Sequence, residues 1–328
     1  MTRTVLGEFG RIGRFFAPLA GPGGLGLTDD AALVDCRPGY RLVVTVDAIV
    51  EGVHYLADDP PDLVAKKLLR VNLSDLAAMG ARPLHYLLAT ALPASLGDSW
   101  VARFAAGLAE DQRRFGVALL GGDSVATSGP AVLSLTALGE VAFGAEIRRS
   151  GACPGDMIWV SGTIGDAFLG LQVLRGDNDL VGLGAPYAKA LIARFQLPEP
   201  RVELGPRLAG VAHAMCDVSD GLLADLGHIC EASGCGATIS QAALPFSLAA
   251  LTILAEEWVE PAALATGGDD YELLFTAPPD ASSRIESLAK ELALKISAIG
   301  TIEQGSGVRL VDASGSPIPV ATAGYRHF

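Results

Sequence analysis

The sequence predicts an α/β protein of two domains, and three observations lead there. At 328 residues the chain is long for one hydrophobic core, so two cores are the expectation. Its first half alternates β-branched runs with helical periodicity in the order β-α-β-α-β-β, the pattern of a sheet covered by helices. That rhythm resets at Arg148-Arg149-Ser150-Gly151-Ala152-Cys153-Pro154-Gly155-Asp156, a turn cluster that divides the chain into domains 1–147 and 148–328.

Residues 5–20 read as a short helix with Phe9, Ile12, Phe15 and Phe16 on one side. Gly21-Pro22-Gly23-Gly24-Leu25-Gly26 then spells G-x-G-x-x-G, with Asp47 about 20 residues on, as in a dinucleotide-binding turn. The context does not fit. Such a turn follows a strand and opens a helix, whereas here a helical segment precedes, and residues 28–34 read as a strand and turn before Pro38-Gly39. The glycines are read instead as a flexible approach to Asp30. Arg41-Leu42-Val43-Val44-Thr45-Val46 is a β-branched strand ending in Asp47, with Glu51-Gly52-Val53-His54 beyond it.

Pro60-Pro61 opens the helix on which the first half is organised. At ~100° per residue, Val64, Leu68, Val71, Leu76 and Met79 form an apolar stripe, and Lys66, Lys67, Arg70 and Ser74 point away from it. Asn72 and Asp75 fall inside the stripe. A carboxylate aimed at a core is costly unless it is paired, hydrogen-bonded or bound to a metal. One isolated Asp would be read as a cap or an acceptor for backbone N–H groups. Here Asp30, Asp47, Asp123, Asp217 and Asp220 recur at predicted strand ends or glycine-marked turns, where chains place their chemistry. Leu84 to Leu92 is a strand closed by Pro93, residues 97–115 a helix, Val117 to Leu120 a buried strand running into Gly121-Gly122-Asp123-Ser124, and residues 131–143 a further strand.

In the second half, Met157 to Val160 is a strand, and Ser161-Gly162-Thr163-Ile164-Gly165-Asp166 leads into a helix from Ala167. A glycine turn before a helix can hold an anion, a plain tight turn being the equal alternative, and no G-K-[ST] follows to make it a P-loop. After a Gly- and Pro-rich segment around residues 176–200, Ala212 to Cys216 is a short strand, and Asp217-Val218-Ser219-Asp220-Gly221 leads into a helix through Cys230. One of these polar residues is expected to cap the helix. Two acids and a serine exceed that need. Gly267-Gly268-Asp269-Asp270-Tyr271-Glu272 repeats paired acids beside a strand, and the chain closes on Gly324-Tyr325-Arg326-His327-Phe328.

The net charge of −13, from 37 acidic and 24 basic residues, argues against nucleic acid, which calls for a basic face. An acidic protein that handles phosphates needs cations to bring like charges together. No apolar run approaches the ~18 residues of a membrane span, and Glu8, Arg11 and Arg14 interrupt any leader-like segment, so no membrane is expected and the cytoplasm is the default location. Five cysteines, at 36, 153, 216, 230 and 235, form no C-x-x-C pair and read as buried thiols in a reducing compartment rather than disulfides or a zinc site. Several carboxylates within ~4 Å repel by roughly 4 kcal/mol per pair at an effective dielectric of about 20. Such a cluster requires divalent cations or protons, and Mg2+ is the natural occupant. No H-E-x-x-H, protein-kinase H-R-D or D-F-G is present. The residues thus point to metal-assisted phosphoryl transfer outside the P-loop and protein-kinase classes.

Thr45-Val46-Asp47 through Gly52-Val53-His54, Val71 through Gly80, Gly121-Gly122-Asp123, Asp217-Val218-Ser219-Asp220-Gly221 and Gly268-Asp269-Asp270-Tyr271-Glu272-Leu273 together resemble the thiamine-monophosphate kinases, in order and over nearly the whole chain. The resemblance implies a two-domain aminoimidazole ribonucleotide synthetase-like fold: an N-terminal mixed sheet with helices, which pairs with its twin in a homodimer, and a C-terminal α/β domain. It implies direct in-line transfer of the ATP γ-phosphate to thiamine monophosphate, the last step of thiamine diphosphate biosynthesis. By the same resemblance, Asp30, Thr45, Val46 through its backbone, Asp47, Asp75, Asp123, Asp217 and Asp220 hold Mg2+, and turnover depends most on Asp75, Asp123 and Asp220. Gly122, Asp123, Arg149 and Ser219 contact ATP, and His54, Asp269 and Tyr325 contact the thiamine phosphate. Thr28 stands where the family often has glycine before the acids, leaving Asp29 as the alternative ligand to Asp30. Acceptor and donor are both phosphates, so alignment and charge neutralisation suffice, and His54 is expected to position substrate rather than act as a base. The rival readings are a sister enzyme that activates an amide or carbonyl oxygen with ATP, and a catalytically silent binding protein.

Overall fold

The computed structural model describes residues 8–29, 31–35, 37–176, 180, 182–320 and 322–325. Its chain separates into two compact units, Met1–Leu76 with Ala81–Gly144, and Ala77–Gly80 with Ala145–Phe328.

In the first unit, α1 (Glu8–Arg11) passes into a wider turn over Ile12–Phe16 and a tight turn over Ala17–Leu19, so the described part of the segment read as one helix changes pitch twice. Gly21, Gly23 and Gly24 are closely packed, whereas Gly26 has open space around it. Pro22–Leu27 winds as a 3-10 turn against the strand behind it; a Cβ on Gly23 would lie 2.2 Å from the Leu33 carbonyl, and one on Gly24 2.8 Å from that of Leu120. The described residues of 28–34 form no strand, and Asp30 lies outside the described residues.

Four strands follow, β1 (Tyr40–Val50), β2 (Arg82–Pro93), β3 (Ala118–Thr127) and β4 (Val132–Ala142), with α2 (Pro61–Ala78) and α3 (Asp98–Phe115) between them. The spatial order is β1-β4-β2-β3, antiparallel except where β2 runs parallel to β3. Alternation along the strands gives one face buried through Ile49, Tyr86, Leu88, Leu133, Leu135 and Ala137. The other is apolar and exposed, with Val44 at 59%, Val46 at 61% and Val125 at 51%. Asp47 lies within β1, not at its end, because β1 continues through Val50.

Pro61 at the first turn and Asp62 beside it start α2, one fixing φ and the other complementing the helix N-terminus. The helix is less amphipathic than its sequence suggests, for Lys67, Arg70, Asn72 and Ser74 are all buried along with the apolar stripe. Each of three polar residues meets a partner that is distant in sequence. Arg70 grips Asp111 of α3 through two hydrogen bonds of 2.6 and 2.9 Å. Lys67 Nζ donates to the His54 carbonyl at 2.9 Å, and Asn72 Oδ1 accepts the Asp47 N–H at 3.1 Å.

The second unit holds β5 (Met157–Ser161), α4 (Asp166–Arg175), α5 (Ala185–Gln196), β6 (Ala214–Asp217), α6 (Leu222–Ser233), β7 (Gly236–Ser240), α7 (Leu248–Ala255), α8 (Pro261–Thr266), β8 (Leu273–Ala277), α9 (Ser282–Glu291), β9 (Ile296–Glu303) and β10 (Gly307–Val311). Its six-stranded sheet runs β10-β7-β9-β5-β8-β6, parallel only between β10 and β7. Alternation on β5 sends Ile158 and Val160 into a core with Leu222 and Leu226 of α6, and Trp159 into a second core with Met215 and Phe275. Among the described residues no helix is long and apolar enough to cross a membrane.

Candidate active site

In the first unit, β1 and α2 bring together residues that the sequence spaces far apart. Thr45 and Asp47 are two apart on β1 and therefore share its α2-facing side. Thr45 Oγ1 donates to Asp75 Oδ2 at 2.6 Å, and the Asp47 backbone is held on Asn72. Burial, and then the negative charge of Asp75, push the Asp47 carboxyl up to about 6. Two carboxylates and a hydroxyl facing one another form an oxygen donor set that favours a hard cation.

His54 closes the turn after β1. Its Nδ1 accepts the Val50 N–H at 3.1 Å, which leaves the ring proton of the neutral imidazole on Nε2 as a donor.

Asp123 is reached differently. The pairing runs Asp47↔Leu135↔Leu88↔Gly122 across the sheet, and Asp123 stands in the next row with Ala89, Ser134 and Ala48. Alternation turns its side chain to the exposed face, opposite Asp47. There it borders a cavity of about 520 Å3 that Gly24, Leu27 and Asp29 help to line. Gly122 has a packing role of its own, since a Cβ there would lie 1.8 Å from the Leu88 carbonyl.

The second unit joins Ser219, Asp220, Asp269 and Tyr325 through backbone hydrogen bonds, while Asp217 is buried at the end of β6 in register with Leu273 of β8. The Asp269 N–H donates to the Ser219 carbonyl at 2.8 Å, Tyr271 N–H to Val218 at 2.8 Å, Val218 N–H to Glu272 at 2.9 Å, and Tyr325 N–H to Asp220 at 2.9 Å. Asp269 and Tyr271 adopt left-handed φ values of 69° and 50°, strain that non-glycine residues keep mainly where function fixes the backbone. The described end of the tail is therefore fastened to the acidic loop and borders a cavity of about 720 Å3 with Asp220, His228 and Arg309.

Sequence reasoning missed the residue that shapes this loop. The N-cap of α6 is Gly221, which has no side chain to cap it. Instead Asp225, inside the helix, accepts the N–H groups of Ser219, Asp220 and Gly221 at 3.0, 3.1 and 3.2 Å. Burial, followed by the charge of Asp220, pushes its carboxyl up to about 7 against those hydrogen bonds. The i, i+4 spacing from Gly221 was the available signal. Of the other acidic pair, Asp270 is structural: it is fully buried and accepts from Gly165 N–H at 2.8 Å at the start of α4, so the glycine turn there binds an internal carboxyl group, one that burial pushes well above the usual carboxylate range. Arg149 is exposed on the segment before β5.

Residues 28–141 match the AIR synthase related protein N-terminal domain, and residues 153–313 its C-terminal domain. Thiamine-monophosphate kinase from Caulobacter vibrioides is 46% identical over 92% of this chain and 85% of its own length. The chain belongs to the thiamine-monophosphate kinase family. The crystal structure of the Stenotrophomonas maltophilia enzyme superposes with a TM-score of 0.80 at 42% identity, over 87% of this chain and 89% of that one. The structure of AaThiL complexed with AMPPCP and TMP has a TM-score of 0.79 at 32% identity, over 98% and 97%. The two-domain fold that the resemblance implied is thereby found.

Proposed function

We infer that the chain is the enzyme that phosphorylates thiamine monophosphate with ATP, giving thiamine diphosphate and ADP. The observation that carries this is near-full-length similarity to thiamine-monophosphate kinases, one of them complexed with AMPPCP, an ATP analogue, and TMP. A sister reaction on an amide or carbonyl oxygen is not favoured, and a silent binder would not need so many acids. The direct test is formation of thiamine diphosphate from ATP and thiamine monophosphate by the purified chain; ATP consumption without that product would overturn the reading.

Mg2+ is the proposed cofactor. Thr45, the Val46 carbonyl, Asp47 and Asp75 would hold it on the α2-facing side of the first sheet. Asp123, with Asp30 or Asp29, would hold it separately, since the Asp123 side chain turns to the opposite face, and Asp217 and Asp220 would hold it in the second unit. Bound there, Mg2+ supplies neutralisation of the phosphate charge in the transition state. The residues contribute alignment. His54 donates from Nε2 to the acceptor phosphate, Gly122, Asp123, Arg149 and Ser219 hold ATP, and Asp269 and Tyr325 receive the thiamine moiety. Residues 1–147 would form the nucleotide, metal and dimerisation domain and 148–328 the C-terminal domain, with the cytoplasm as the compartment where ATP is supplied.

Tyr325 offers a separate test. A ring over the cationic thiazolium contributes roughly 0.5–2 kcal/mol, so Tyr325→Ala should raise KM for thiamine monophosphate a few-fold to tens-fold and leave KM for ATP unchanged. Steady-state kinetics in both substrates decides, since equal weakening of both would remove Tyr325 from the acceptor site.

A homodimer through the first sheet is proposed from the exposed apolar face, where Leu42, Val44, Val46, Leu87 and Val125 lie uncovered in one chain. A contiguous apolar surface of this kind marks an interface. Light scattering at micromolar concentration should give a dimer for the native chain and a monomer for Val44→Asp; a native monomer contradicts the proposal.

A further inference from the structure

Cysteine spacing alone spoke against zinc, but the second unit gathers ligands that the sequence separates. Cys153 is exposed rather than buried, and Cys36 lies outside the described residues. One ligand atom each from Cys153, Asp156 and His213 lies within 4.8 Å of the other two. None of these residues belongs to the kinase site described above. We propose that Cys153, Asp156 and His213 form a binding site for a borderline-soft divalent cation, Zn2+, on the surface of the second unit.

The donor set is the first argument. A thiolate, an imidazole and a carboxylate suit Zn2+, whereas Mg2+ takes oxygen donors. Zinc bonds of about 2.0–2.3 Å in a tetrahedron set ligand atoms roughly 3.3–3.8 Å apart. His213 Nδ1 already lies 2.9 and 3.0 Å from the two Asp156 oxygens, so a small outward rotation of side chains admits the ion, with water at the fourth position.

The second argument is preorganisation. Cys153-x-x-Asp156 is a closed turn: Cys153 N–H donates to Asp156 Oδ2 at 2.9 Å, and Asp156 N–H to the Cys153 carbonyl at 2.9 Å. The turn is fastened to β9 by Gly155 N–H to Ile302 O at 2.8 Å and Ile302 N–H to Asp156 O at 2.9 Å, while His213 N–H is fixed on Thr276 of β8 at 2.8 Å. Ligands carried on backbone held this way keep their geometry without the ion. A turn needs only one acceptor oxygen from Asp156. The imidazole on the same carboxylate exceeds that need, and the Cys153 thiol, which donates to the Gly151 carbonyl at 3.5 Å, lies within 4.8 Å of both.

Two further thiols stand close by. Burial raises the Cys235 thiol, a hydrogen bond with Cys230 opposes this, and the charges of Asp156 and Cys153 raise it again. The neighbourhood is thus rich in sulfur on a face where Cys153 and His213 reach solvent, so an ion can enter without unfolding.

The test uses the full chain, stripped with chelator, held in excess Mg2+ to fill the oxygen sites, and titrated with Co2+ as the spectroscopic stand-in for Zn2+. The expected result is saturation at one equivalent, with a thiolate-to-cobalt charge-transfer band and the intense visible bands of tetrahedral Co2+, both removed by competing Zn2+. Cys153→Ser should abolish the charge-transfer band, and His213→Asn should weaken binding by about tenfold or more, both with kinase activity unchanged. No saturable band, or a band that survives Cys153→Ser, overturns the proposal. Cys153 is exposed, so its serine variant should fold, and an unchanged circular dichroism spectrum checks that it has.

Discussion

Asp75→Asn is expected to lower kcat by about 10²–10³-fold, the loss typical of removing one preorganised charge-stabilising group, with the melting temperature nearly unchanged. The prediction rests on where the carboxylate stands. Asp75 is half-buried, accepts the Thr45 hydroxyl at 2.6 Å, and raises the Asp47 carboxyl across the β1/α2 junction. An amide preserves shape and one acceptor oxygen but removes the charge that a divalent cation needs. The fold should survive, because α2 is held by its apolar stripe and by the Arg70–Asp111 pair rather than by Asp75. The measurement is kcat as a function of Mg2+ concentration, alongside thermal melting. Near-normal turnover with an unchanged Mg2+ dependence would take Asp75 out of the metal site.

Asp75 was legible in the sequence because an acid on an apolar stripe breaks the helical pattern, and the order β-α-β-α-β-β was legible because each run had its own period and punctuation. What escaped depended on partners far along the chain. Nothing local announces that Arg70 will be buried, since its stabilising partner Asp111 lies on a different helix. Gly21, Gly23 and Gly24 looked flexible because the strand they pack against arrives almost a hundred residues later. Asp225 was overlooked because a residue inside a helix is not where a cap is sought, although it holds three N–H groups of the acidic loop. The same limit hid His213 from Cys153.

Glu272 is where paired acids in the sequence misled most usefully, and it carries the largest expected effect on stability. The segment Asp269-Asp270-Tyr271-Glu272 reads as one repeated acidic theme, yet its members do different work. Glu272 is fully buried and receives Arg194 at 2.9 Å, Arg201 Nε at 2.6 Å and the Ser161 hydroxyl at 2.6 Å, with a further contact from Arg201 Nη2. Ser161 in turn accepts the Leu273 N–H at 2.9 Å, tying β5 to the start of β8. Glu272→Gln keeps the volume but leaves two guanidinium groups facing a neutral amide. Breaking a buried pair from one side costs about 3–5 kcal/mol, and the low end applies because the arginine side chains retain 21% and 16% of their exposure. Urea unfolding of the second unit should therefore shift to a lower midpoint by about 3 kcal/mol of stability, at unchanged slope. Asp269→Asn, three residues earlier and half-buried beside the acidic loop, should leave that midpoint in place and raise KM for thiamine monophosphate. If Glu272→Gln unfolds at the native midpoint while Asp269→Asn does not, the division of this segment into a structural acid and a substrate-facing acid is wrong.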